Sequence, residues 1–334
     1  MIVLEIKDIK TLISKVGYQA FFAQLMDTLS EDYQNWEAFD KCPRVANHVP
    51  DGVIELMPIS NNDMYSFKYV NGHPKNPDQN KMTVMATGQL SITETGEPLM
   101  FTEMTLLTAF RTAATSALAA KHLADKDSKV LALIGTGAQS EFQYLAYSFV
   151  FGLEEVRYYD TDPAAMEKFA RNMAKYDIKL TPCEDSRDAV NGADLITTCT
   201  ADKKYQTVLT KDMITKDVFI NGLGGDCPGK TEIEKELVES STIVVEYLPQ
   251  SRIEGEIQQL ADDFVCTELN EIIKGEKSLN VAKDGTILYD SVGFAIEDYS
   301  VLRLIYNLAR ENGIGREMNM IPELGDVKDL FSLL

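Results

Sequence analysis

The spacing of apolar residues divides the chain into two regimes. Over residues 9–36 they recur at helical intervals (Leu12, Ile13, Val16, Phe21, Phe22, Leu25, Met26, Leu29), which predicts an amphipathic helix with a break at Gly17. Short runs of strand character follow: GVIELMPI from Gly52, MYSFKYVNG from Met64, KMTVMATGQLSI from Lys81 and EPLMFTE from Glu97. Clusters of Asn, Asp, Pro and Gly separate them, as turns require. An Ala-rich stretch over residues 103–123 predicts a long helix, and the polar ADKDSK at its end marks a domain edge.

Beyond Lys129, strands of near-continuous apolar character alternate with helical stretches, the signature of a parallel sheet covered on both faces. VLALIG (130–135), EVRYYD (155–160), DIKLT (177–181), DLITTCT (194–200), DVFINGLGG (217–225) and TIVVEY (242–247) are candidate strands, six in all, the count of a doubly wound nucleotide-binding domain. A seventh, TILYD from Thr286, precedes a helix over residues 295–311. The expected class is α/β: a Rossmann-type doubly wound parallel sheet domain over residues 126–294, joined to an α+β domain over residues 1–125.

Composition narrows the partners. With 334 residues and 45% hydrophobic content the chain can bury a sizeable core, and its 52 acidic against 32 basic residues leave a formal charge of −20. Such a surface repels nucleic acid and anionic membranes and favours small molecules or other proteins as partners. Five cysteines with no CxxC pair suggest neither a disulfide framework nor a zinc site, and fit a reducing cytoplasm. The three histidines, His48, His73 and His122, are not spaced as metal ligands. The first residues, MIVLEIKDIK, lack the pattern of a leader, and no apolar run approaches the length of a membrane span.

Two stretches carry candidate chemistry. Gly135, Thr136, Gly137, Ala138, Gln139 and Ser140 join the first strand of the second region to a helix. Two glycines there permit a tight turn on which a pyrophosphate can sit, although Ser140 replaces the third glycine of the usual fingerprint. Asp160 ends the next strand 20 residues after Ser140, where an acid accepts hydrogen bonds from the adenosine ribose. No arginine follows to meet a 2′-phosphate, so NAD is favoured over NADP; capping a helix before Pro163 is the other role open to Asp160. The second stretch is GLGGDCPGK, residues 222–230, at the carboxyl end of the fifth strand, where open parallel sheets do their chemistry. Its Asp226 is either a turn residue or a carboxylate facing a nicotinamide, with the glycines letting ring and substrate come close.

VIELMP, FKYVNGHP, RTAATS, GTGAQSEFQ, GGDCPGK, RIEGEIQQ and DSVGFAIEDY, in this order and over essentially the whole chain, resemble the ornithine cyclodeaminase/mu-crystallin family. FKYVNGHP and GGDCPGK resemble its cyclodeaminase branch in particular. The resemblance implies tightly bound NAD and conversion of L-ornithine to L-proline and ammonia by transient oxidation, imine cyclisation and re-reduction. By residue, it implies Arg44, Lys68 and Arg111 as the cations for the substrate carboxylate, with Arg111 also near the cofactor phosphate. Glu55 and Asp226 become the acidic pair, and Asp226 the principal catalytic residue. Thr83, Arg111, Gly135, Gly137, Ala138, Gln139, Asp160, Thr200, Asn221, Gly222, Leu223 and Ser291 become the cofactor contacts. It also implies a homodimer in the cytoplasm, with residues 295–334 completing the first domain as a substrate-binding and dimerisation unit. Within the family three further readings stay open: a lysine cyclodeaminase, an amino acid dehydrogenase or ketimine reductase consuming NAD(P), and a mu-crystallin-like binding protein. RIEGEIQQ has no assigned role beyond packing against the turn that bears Asp226.

Overall fold

The computed structural model describes residues 1–201 and 206–334. Among them the chain builds two eight-stranded sheets. In the first, the order is Arg316–Glu317, Ile2–Leu4, Pro98–Glu103, Val84–Ile92, Met64–Gly72, Gly52–Ser60 and Asp40–Lys41, with Val45–Val49 also on Gly52–Ser60. The long central strands alternate over most of their length. Met57 and Ile59 on one, Val70 on the next and Leu90 on the third turn inward beneath the helix Ala295–Asn312, while Leu56, Tyr65, Tyr69, Met85 and Phe101 turn outward. The inward positions also include Glu55 and Lys68, which alternation alone would have offered as easily to solvent. The short strands Ile2–Leu4, Asp40–Lys41, Val45–Val49 and Arg316–Glu317 were absent from the pattern-based expectation, because two to five residues carry too little periodicity to register.

The second sheet is wholly parallel, in the order Lys179–Pro182, Glu155–Tyr159, Val130–Ile134, Leu195–Thr198, Phe219–Gly222, Ile287–Asp290, Thr242–Val245 and Thr267–Glu268. All seven expected strands are present, with Thr267–Glu268 as an eighth, and the α/β class with a Rossmann-type sheet holds. One detail differs from reading order. Ile287–Asp290 inserts between Phe219–Gly222 and Thr242–Val245, which carries its following residues, Ser291 to Phe294, to the middle of the sheet edge. Strand order reverses direction between Val130–Ile134 and Leu195–Thr198, the crevice in which such sheets hold ligands.

Helices join the sheets. The expected break at Gly17 is real: its φ of +83° separates Ile6–Val16 from Tyr18–Gln34, a conformation that glycine adopts without steric cost. The helix Thr105–Leu123 touches Tyr18–Gln34, Ser140–Val150 and Ala295–Asn312 as well as strands of both sheets. Its run of Ala113, Ala114, Ala117, Ala119 and Ala120, all buried, lets these neighbours approach closely. Phe110 on the same helix makes three aromatic contacts, with ring centroids 5.2 Å from Phe21, 5.1 Å from Phe22 and 5.1 Å from Phe142. No described helix is long and apolar enough to cross a membrane.

Replacing Phe110 by alanine removes the ring on which Tyr18–Gln34 and Ser140–Val150 converge. A loss of about 3–5 kcal/mol of folding stability is expected, read as a lower denaturant midpoint at unchanged slope.

Candidate active site

The glycine turn is shaped for a dinucleotide. Gly135 has φ +100°, and a Cβ there would lie 2.7 Å from the Cys199 carbonyl oxygen, so only glycine fits. Over Gly137 an added Cβ meets nothing within 4 Å, and no side-chain hydrogen bond caps the helix Ser140–Val150 that begins just after Ala138 and Gln139. Free first-turn amides, the positive end of the helix and open space above the glycine together fit a pyrophosphate. Asp160 faces the same turn: Thr136 donates to its Oδ2 from the backbone amide (2.6 Å) and from Oγ1 (3.1 Å). The helix-capping alternative for Asp160 falls to its neighbour, since Asp162 accepts from the Ala164 amide at 2.9 Å.

The other cofactor candidates gather along this edge. Leu223 donates its amide to the Thr198 carbonyl at 3.0 Å, and Ser291 to the Gly222 carbonyl at 3.0 Å. Thr200 is tied by its carbonyl to Lys230 Nζ at 3.1 Å, and Asn221 is buried with its Nδ2 donating to Ser116 Oγ at 3.0 Å. Thr83 stands apart, before Val84–Ile92, its carbonyl accepting from the His73 amide at 2.9 Å. No described hydrogen bond joins it to the rest.

Next to this edge, Arg44, Lys68 and Arg111 come together from three separate elements, each side chain at most 6% exposed. Charges so deeply buried must be paired, and four carboxylates do it. Lys68 Nζ lies 2.9 Å from Asp298 Oδ1, which also faces Arg111 Nε at 3.0 Å; Arg111 Nη1 donates to Glu297 at 2.5 Å. Arg44 reaches Glu55 through Nη1 (3.2 Å) and Glu254 through Nε (3.0 Å), while its Nη2 donates to the carbonyls of Val292 (2.6 Å) and Gly293 (2.5 Å). Gly293 has φ +77°, and a Cβ on it would sit 2.6 Å from Arg111 Nη1. Burial, with the Arg111 charge beside it, pulls the Lys68 ammonium down to about 8 against the attraction of Asp298. Burial works against the Arg44 cation too, but the carboxylates of Glu55, Glu254 and Asp226 outweigh it and hold its pKa above the usual value.

Asp226 lies on the exposed side of the cluster. Its side chain is 52% exposed and ion-paired with Lys230 at 3.2 Å, one helical turn's spacing along the chain. The contacts behind the turn give Gly224 and Gly225 a steric task of their own. A Cβ on Gly224 would lie 1.9 Å from Glu232 Oε2, and one on Gly225 2.4 Å from Glu256 Oε1. Those carboxylates form a buried relay beneath the turn: Asp290 accepts from the amides of Glu256 (2.8 Å) and Ile257 (3.1 Å), and Glu256 accepts from those of Glu232 (2.8 Å) and Ile233 (3.1 Å). Gln258 completes the seam, donating to the carbonyls of Cys227 (3.3 Å) and Lys230 (3.1 Å) and accepting from the Gly229 amide (2.7 Å). RIEGEIQQ thus packs against the turn of Asp226 through Glu256 and Gln258, as expected, but sends Glu254 to Arg44.

The arrangement therefore joins a dinucleotide cradle to a cationic cluster and three carboxylates, Glu55, Asp226 and Glu254. The profile of the family named Ornithine cyclodeaminase/mu-crystallin family matches residues 7–313. The chain belongs to that family. It is 47% identical to an ornithine cyclodeaminase of Agrobacterium fabrum over 99% of this chain and 94% of that protein. Among solved structures, a lysine cyclodeaminase described in terms of its recognition of L-lysine, L-ornithine and L-2,4-diaminobutyric acid superposes with TM-score 0.95 and 30% identity, covering 100% of this chain and 99% of that one. An archaeal alanine dehydrogenase dimer with bound NAD superposes with TM-score 0.88 and 29% identity, covering 96% and 99%.

Reading the sequence missed Lys230, Glu254, Glu297 and Asp298. For the last two a signal existed, since GFAIEDYS places adjacent acids in an otherwise apolar helical run whose members are all buried.

Gly224→Ala drives a methyl group into the Glu232 carboxylate. The variant should unfold at a temperature several degrees lower than the parent, a loss of about 1–3 kcal/mol, in a thermal melt.

Proposed function

We propose that this protein is an ornithine cyclodeaminase, converting L-ornithine to L-proline and ammonia with NAD as a catalytic cofactor. One observation carries the reading. Three buried cations and the four carboxylates of Glu55, Glu254, Glu297 and Asp298 converge beside the carboxyl edge of a parallel sheet, in a chain 47% identical to a protein of that name. Gly135, Gly137, Ala138, Gln139 and Asp160 would hold the dinucleotide, with Thr200, Asn221, Gly222, Leu223 and Ser291 along the same edge, Thr83 from the loop before Val84–Ile92 and Arg111 from the helix Thr105–Leu123. When bound, NAD accepts a hydride from the substrate's α-carbon and returns it to the cyclic imine.

The protein's own groups do the rest. Arg44, Lys68 and Arg111 fix the substrate carboxylate, and a bidentate guanidinium sets the α-carbon's position more sharply than a point charge can. The α-amine must be neutral before hydride leaves, so a carboxylate has to accept its proton. Asp226, half exposed and tethered to Lys230, is placed to guide the amines through ring closure and ammonia loss, with Glu55 holding an amine or a water. Closure is intramolecular: the δ-amine attacks the α-imine of the same molecule, so no second substrate need be captured. Lysine is the second reading, favoured by the TM-score of 0.95 to a lysine cyclodeaminase. One methylene of pocket depth separates the two substrates by only about 1–3 kcal/mol.

The first sheet with its C-terminal return forms, in this reading, the substrate and dimer half of residues 1–125 and 295–334, with residues 126–294 as the NAD half. Its outward face presents Leu56, Tyr65, Tyr69, Met85 and Phe101, which are 36–44% exposed on neighbouring strands. A contiguous apolar sheet face of this kind is suited to a second copy of itself. The protein acts in the cytoplasm in this proposal.

With L-ornithine in excess and NAD in trace amount, proline and ammonia should form in large molar excess over cofactor; a yield capped by the NAD supplied would refute the cyclodeaminase reading. L-lysine under the same conditions should turn over more slowly. Asp226→Asn should bind NAD as the parent does and make proline at least about 100-fold more slowly. For the outer sheet face, Tyr69→Glu should shift the sedimentation coefficient from that of a dimer to that of a monomer.

A further inference from the structure

Arg44 cannot grip a substrate carboxylate bidentately without losing a partner, since each of its three nitrogens already faces an acceptor and both hydrogens of Nη2 are taken. The partners are unequally held. Nη2 is fixed to two main-chain carbonyls, and Nη1 donates a hydrogen bond to Glu55. The contact with Glu254 is different: Oε2 lies 3.0 Å from Nε, yet the N–H is not aimed at it and, among the described residues, neither atom has a hydrogen-bond partner. An ion pair without a hydrogen bond is the one most readily exchanged. Glu254 is only 3% exposed, so once displaced it has little water to turn to.

We propose that Glu254 takes the proton of the substrate's α-ammonium group as the substrate's carboxylate replaces it on Arg44. This rests on the function proposed above and adds a base to it. The charges facing Glu254 from the elements around it are Arg44, Glu55 and Asp226, the last shared with Lys230. Burial already pushes the Glu254 carboxyl up to about 7, with Arg44 opposing and Glu55 and Asp226 adding to the rise. Transfer of Arg44 to an incoming carboxylate removes the one cation in direct contact with it, and the neutral form gains. The nearest proton then belongs to the ammonium that must lose one. The step balances: an N–H bond breaks with its electron pair left on nitrogen, and an O–H bond forms on Glu254. Later the O–H breaks and the proton goes to the nitrogen leaving as ammonia. Position within RIEGEIQQ serves this use, because Glu254 ends the helix Leu248–Glu254 while Glu256 and Gln258 pin the following turn.

The test compares the NAD-loaded parent with Glu254→Gln and Glu254→Asp. In the parent the base must be ionised before substrate arrives, so kcat/KM should rise with pH through an inflection near 7. Glu254→Gln should lose that limb and about 10²–10⁴-fold in kcat, with KM for L-ornithine unchanged or lower because Arg44 is released. Glu254→Asp should restore part of kcat and the limb. A Gln variant that keeps the limb, or changes only KM, would assign Glu254 the mere task of positioning Arg44 and overturn the proposal. A second readout needs no turnover. Adding L-ornithine to the Asp226→Asn protein should produce the infrared band of a protonated carboxyl, absent when Glu254→Gln is added to that background. If the parent makes no proline but this band appears, the cyclodeaminase reading falls and the base assignment stands; if no such band appears, the assignment falls.

Discussion

A guanidinium withdrawn from water has to be paired, and the pairing of Arg44 holds this site together. One side chain gathers Glu55 from the first sheet, Glu254 from the helix that follows Thr242–Val245, and the carbonyls of Val292 and Gly293 at the carboxyl end of Ile287–Asp290. Removing the Arg44 side chain would leave the carboxylates of Glu55 and Glu254 facing each other in a poorly solvated place, at a cost of roughly 3–5 kcal/mol. The sheets are thus joined at the proposed substrate site. Lys68 and Arg111 repeat the device on Asp298 and Glu297 of the C-terminal helix, so that helix belongs to the site as much as to the fold.

Beneath the reactive edge the protein spends further carboxylates on its own backbone. Glu246 accepts from Tyr289 and Ser291 side chains and from the amides of Val292 and Gly293, which fixes the loop that receives Arg44. Asp290 and Glu256 brace the segments leading to Glu232, beneath the turn of Asp226. Burial raises the pKa of Asp290 to about 7 against its two amide donors, and raises that of Glu256 as well. An excess of acid in this protein is therefore partly internal. A site whose cations are neutralised by its own acids has another property: it admits a substrate anion by exchange of partners rather than by simple attraction, and exchange moves protons.

Much of this was legible along the chain. The parallel sheet showed itself because its strands are apolar on both faces, and the tight turn at its edge because Gly135 and Gly137 stand between a strand and a helix. Gly17 betrayed a helix break through its own conformational freedom. Harder to see were the short strands, whose few residues have no period, and the partner of Glu254, an acid that sits in RIEGEIQQ 210 residues after Arg44. Glycines 224 and 225 were visible, but their cause was not, since the acids they make room for lie 8 and 31 residues further on.

Local chemistry, then, was settled by the order of residues: where the chain turns, which segments are strands or helices, which families of motif it carries. Those properties depend on neighbours within a turn or two of backbone. Which acid meets which base in the buried cluster was decided by tertiary structure, because Arg44 and Glu254, or Lys68 and Asp298, are separated by more than two hundred residues and meet only when the chain folds back on itself. Coulomb energy depends on that final separation and on the loss of water around it, and neither exists in an unfolded chain.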